Sequence, residues 1–131
     1  NNQATMFDCI KKASEKAAKS IRAELIPTGK VIQILRETVP EFDYANGGIS
    51  LCRYGFHLSL DYGRFAAAAV WLYALSGKKI KTIEFENFDT VLLEKIVNVV
   101  NRIFANITEA QYPQSLPDML SKLPAKNVLK R

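Results

Sequence analysis

The unbroken apolar run from Phe65 to Leu75 is the feature that most constrains this chain. It is about half the roughly 20 residues a helix needs to cross a bilayer, so it is read as part of a buried helix and no membrane span is expected. That helix is placed over Asp61 to Ser76, with Asp61 as N-cap and Gly77 as the residue that ends it. An apolar surface on all sides implies burial on several sides. The alanines Ala66 to Ala69 allow neighbours to come close, and Trp71 and Tyr73 supply bulk at a boundary.

Immediately before this helix lies Arg53-Tyr54-Gly55-Phe56-His57-Leu58-Ser59-Leu60, which holds the only histidine. An imidazole both takes and gives a proton near neutrality, so His57 is the general acid/base candidate of the chain. The plain alternative is a structural histidine whose ring caps a backbone carbonyl. Glu41 to Ser50, acidic and then glycine-rich at Asn46-Gly47-Gly48, is read as an exposed loop leading into this segment.

The remaining elements follow from apolar spacing. Thr5 to Arg22 sets Phe7, Ile10, Ala13, Ala17 and Ile21 on one helical face, with lysines on the rest. Ala23-Glu24-Leu25-Ile26, stopped by Pro27-Thr28-Gly29, is expected to be a short buried strand. Lys30 to Thr38 is a helix carrying Val31, Ile34 and Leu35, ended by Pro40. Lys78 to Phe85 alternates lysine with apolar residues, as an edge strand or an extended connection would. Asp89 is the expected N-cap of a helix over Thr90 to Asn106, and residues 107 to 131 are expected to be a lightly docked tail of a single domain spanning 1 to 131. Helix, strand and helix in alternation give the expectation of an α/β fold with a parallel sheet.

Composition removes several function classes. With 48% hydrophobic and 24% charged residues, the chain is an ordinary globular domain. The net charge of +5 comes largely from Lys11, Lys12, Lys16, Lys19 and Arg22 in the first helix and from Lys122, Lys126, Lys130 and Arg131 at the end. No aromatics are interleaved there, so these are solvated faces and no nucleic-acid partner is expected. Cys9 and Cys52 lack metal-ligand spacing and read as free thiols, with one bridge between them left open, and no metal and no cofactor are expected. Asn106-Ile107-Thr108 matches the glycosylation pattern, a sequence short enough to arise by chance. Asn1-Asn2-Gln3-Ala4 carries no targeting signal, so the compartment is unknown and export stays open.

Several blocks together resemble the C-terminal part of the SGNH (GDSL-type) hydrolases over about residues 5 to 78. They are Glu24-Leu25-Ile26-Pro27-Thr28-Gly29, the short helix with Ile32-Gln33, Arg53-Tyr54-Gly55-Phe56-His57-Leu58-Ser59, and Gly63-Arg64-Phe65-Ala66-Ala67-Ala68 with Trp71. The likeness is closest to a bacterial branch with an Asp-Gly-Phe/Tyr-His-Leu-Ser segment followed by Gly-Arg-Tyr/Phe. The resemblance implies a flavodoxin-like three-layer fold, a parallel sheet flanked by helices, and hydrolysis of a small-molecule ester or an acylated carbohydrate. It also implies that His57 is the general base activating a serine, with Tyr54 and Phe56 beside it at the substrate.

The chain departs from that pattern at two points. Tyr54 stands where the family has its acid, three residues before the histidine, and a phenol cannot supply a carboxylate's charge near neutrality. Asp61 and Asp43 are the nearest carboxylates, and Asp61 is taken as the substitute acid. No Gly-Asp-Ser block occurs, and Ser50 and Ser59 do not sit on a strand-to-helix elbow. The nucleophile is therefore expected from the N-terminal part of the hydrolase domain or from another chain. The alternatives are a non-catalytic binding or structural domain that lost its acid, and an oligomeric interaction module. A carboxylate within hydrogen-bond reach of His57 is the feature that would favour the enzyme.

Overall fold

Apolar residues three and four apart leave a helix with one face to bury, and this chain has three such helices converging on one core. The computed structural model describes residues 2–81 and 84–106. Helix α1 spans Gln3–Ile21, α2 Thr28–Thr38, α3 Tyr62–Ser76 and α4 Thr90–Ala105, with two short 3₁₀ turns at Pro40–Phe42 and Tyr44–Asn46. Val31 and Leu35 of α2, Ala66 and Val70 of α3, and Ile96 and Val100 of α4 are fully buried against one another. Phe42 and Leu51 enter the same core from the segment joining α2 to α3. Each of these side chains larger than alanine contributes roughly 1.5–3 kcal/mol by leaving water.

The expected α/β fold with its flavodoxin-like parallel sheet is overturned. Among the described residues the only strands are β1, Cys52–Arg53, and β2, His57–Leu58, which pair antiparallel with Cys52 opposite Leu58 and Arg53 opposite His57. Residues 23–26, expected as a strand, form no ladder. The Ile26 carbonyl accepts from Thr28 N at 2.9 Å in a turn, and Ile26 packs on the helical core. The Lys78 to Phe85 segment, expected as an edge strand or an extended connection, is an extended connection over 78–81, docked on α4. There the Asn101 amide accepts from Ile80 N at 2.9 Å and donates to Ile80 O at 2.8 Å. A strand needs a lateral partner for its backbone groups, and here turns and a side chain provide partners instead.

Helix ends explain where the elements begin. Asn2 caps α1 by accepting from Thr5 N at 2.9 Å, and Asp89 caps α4 by accepting from Val91 N and Leu92 N, as its sequence position predicts. Gly77 closes α3 with φ 66°. Asp61, expected to cap α3, makes no cap bond; the Ser59 hydroxyl accepts from Gly63 N at 2.9 Å in its place. Helix α3 is also less enclosed than its composition implies, because Trp71 and Leu72 are exposed.

Aromatic rings bind the connection before α4 to α3. Tyr62 lies 5.7 Å from Phe42 and 5.2 Å from Phe88 between ring centroids, and its hydroxyl accepts from Asp89 N at 3.1 Å. Lys95 of α4 donates to Glu41, and that hydrogen bond holds the Glu41 carboxyl below its ordinary value of 4.5.

Candidate functional site

The segment 51–63 is shaped from its glycines outward. Tyr54 and Gly55 adopt positive φ, 51° and 81°, which reverses the chain tightly enough for β1 to meet β2. Such a φ is ordinary for glycine and strained for tyrosine. At the other end Ser59 N donates to Leu51 O at 2.9 Å, and Gly63 sits so close to the hairpin base that a Cβ there would meet Leu51 O at 2.3 Å. Leu51 is fully buried, so the hairpin is rooted in the core while its tip projects from it.

His57 lies on β2 and is exposed. Its ring packs against Phe56, centroids 4.3 Å apart and tilted 47°, and among the described residues it makes no side-chain hydrogen bond. Tyr54 and Phe56 are 80% and 76% exposed, and Leu60 beside them is exposed as well. An imidazole among exposed aromatic faces, held on a rooted hairpin and with both nitrogens free of partners among the described residues, is open to a group brought from outside.

The sequence-predicted residues thus fall into two sets. Tyr54, Phe56 and His57 come together at the hairpin tip. Asp61 does not join them by a hydrogen bond: it lies at the start of α3, and one of its carboxylate oxygens is buried without a hydrogen-bond partner among the described residues. Asp43 accepts from Asn46 Nδ2 at 2.7 Å within its own turn. Ser50 donates to Cys52 O at 2.6 Å, and Ser59 serves α3, so both hydroxyls are occupied with backbone. Cys9 and Cys52 are free thiols, and Arg36 donates to Cys52 Sγ at 3.0 Å. No group of three or more potential metal ligands occurs among the described residues.

Arg53 is the residue that sequence reading passed over. Directly opposite His57 in the ladder, it shares a face of the hairpin with it. Its Nε donates to Leu58 O at 3.3 Å and its guanidinium carbon lies 5.8 Å from the Tyr54 ring centroid. The signal was available: a hairpin turning at Tyr54-Gly55-Phe56 puts positions 53 and 57 opposite one another.

A family model described as a domain of unknown function (DUF4886) matches residues 1–103. The chain belongs to that family. The match takes in all of the hairpin, α3 and most of α4. No match was found among curated proteins or solved structures. No described helix is long and apolar enough to cross a membrane, in agreement with the sequence expectation.

Proposed function

We propose that hairpin 52–58 carries the general base of an ester-hydrolase site, His57, and that the site is completed by a nucleophilic serine supplied from the N-terminal part of a hydrolase domain or from another chain. The observation that carries this reading is the exposed imidazole without a hydrogen-bond partner among the described residues, fixed on a hairpin whose base is in the core. A general base must reach the proton it takes, and this one is reachable only by a group approaching from outside the described fold. The SGNH-like block around His57 supports the same chemistry. In it the histidine takes the serine proton as the hydroxyl oxygen attacks the ester carbonyl, then returns that proton to the departing alkoxide. Tyr54 and Phe56 would face the substrate. The substrate class is a small-molecule ester or an acylated carbohydrate.

The test is turnover of p-nitrophenyl acetate by the protein purified in its native assembly, with His57→Ala and His57→Gln beside it. Loss of about three orders of magnitude or more in both variants, with the fold retained, is the expected result. Equal turnover in wild type and variants overturns the reading.

A second reading, a binding domain that has lost its triad acid, is favoured by one specific observation: Tyr54 occupies the acid's position with the Arg53 guanidinium over its ring, and no carboxylate among the described residues is hydrogen-bonded to His57. An inert native assembly would establish that reading in place of the first.

A further inference from the structure

We infer that Arg53 is an oxyanion-binding residue beside His57, so that the ligand taken at this hairpin carries a carboxylate or phosphate group close to the atom His57 serves. That His57 acts on this ligand rests on the hydrolase reading, but the binding site itself stands on the geometry of Arg53. Cross-strand partners in an antiparallel ladder have their Cβ atoms about 4.5–5.5 Å apart on one face, and Arg53 and His57 are such partners.

The guanidinium is positioned but not neutralised. One donor, Nε, is used on Leu58 O, and the plane lies near the Tyr54 ring, contacts that restrict the side chain and lower the cost of ordering it on a ligand. The ion pairs found among the described residues are Lys11 with Glu15 and Lys95 with Glu41, so no described carboxylate pairs with Arg53. Its two terminal nitrogens have no acceptor among the described residues. A half-buried arginine with unused parallel donors is suited to the two oxygens of a carboxylate or phosphate. The exposed faces of Tyr54 and Phe56 border this charge, so an apolar group next to the anion would also be accommodated.

Because the chain has one histidine, its ring signals in an NMR spectrum report on the hairpin without ambiguity. Titrating the protein with monomethyl succinate, methyl phosphate and neutral dimethyl succinate tests the inference directly. The two anionic probes should shift the His57 signals saturably and bind at least tenfold more tightly than the neutral diester, and whichever anion binds more tightly identifies the group. Arg53→Gln should erase that preference, while Arg53→Lys, which keeps the charge and loses the fork, should retain part of it. Equal binding of charged and neutral probes, or an Arg53→Gln variant that folds and keeps the preference, overturns the inference. Anion binding through Arg53 without His57-dependent ester cleavage would instead overturn the hydrolase reading and leave this one intact.

Discussion

Helices α1 and α4 begin alike and end differently. Both are long amphipathic helices with a side-chain cap at the N-terminus, yet α4 buries nine residues, Leu92 and Phe104 among them, whereas α1 buries only Ala18. On α1 the apolar face is largely left in solvent, with Ile10 57% and Ile21 75% exposed. Its hold on α2 includes the Phe7 ring near Gly29 and the amide of Gln3, which donates to the buried Gln33. Periodicity therefore tells which face of a helix is apolar, but a partner decides whether that face is buried.

The contrast makes unequal demands on the two helices, and the largest effect belongs to α4. Ile96→Ala empties a fully buried site between three helices and should cost about 2–5 kcal/mol in denaturant unfolding. A loss under 1 kcal/mol would mean that the core tolerates collapse there and that α4 is less central than its burial indicates. Next comes Asn101→Ala, which removes both hydrogen bonds holding the 78–81 connection to α4 and should cost about 1–3 kcal/mol, with faster amide exchange at Ile80. Unchanged exchange would show that the aromatic contacts further along hold the connection without it.

The smallest effect is expected on α1. Ile10→Ala removes an exposed side chain and improves helix propensity, so stability should stay within about 0.5 kcal/mol. A loss above 1 kcal/mol, measured under the same conditions as Ile96→Ala, would show that the face is covered in solution and would erase the contrast.

The same distinction explains what could be read in advance. The four helices were legible because each is a local pattern: the 3.6-residue spacing around Leu35 and Ile96, the apolar run of α3, the Asp89 cap and the Gly77 stop all lie within a few positions. The expected parallel sheet was the error, because whether a segment becomes a strand depends on a second segment distant in sequence. Leu25-Ile26 and the lysine-rich 78–85 segment have strand-like composition, but the described residues offer neither of them a strand to pair with. The Ser59 cap went unseen for a related reason: Asp61 adjoins the helix, but its backbone at φ −96°, ψ −111° leads into α3 without a side-chain cap bond. The hairpin cluster of Tyr54, Phe56 and His57 was legible as a block, whereas Arg53 became visible only through register. The expected tail at 107–131 lies outside the described residues.

The contact of Gly63 with Leu51 O has a genetic consequence. Any single-base change that alters the amino acid at a glycine codon brings in a side chain, and every side chain starts with a Cβ that would fall 2.3 Å from that carbonyl oxygen and 2.7 Å from Ser59 Oγ. Relief would require the first turn of α3 to move away from the hairpin base, and the loop bearing His57 would move with it. Position 63 is thus closed to ordinary mutational drift for a reason unrelated to chemistry at the histidine: the seating of α3 on the hairpin base leaves no room for a Cβ.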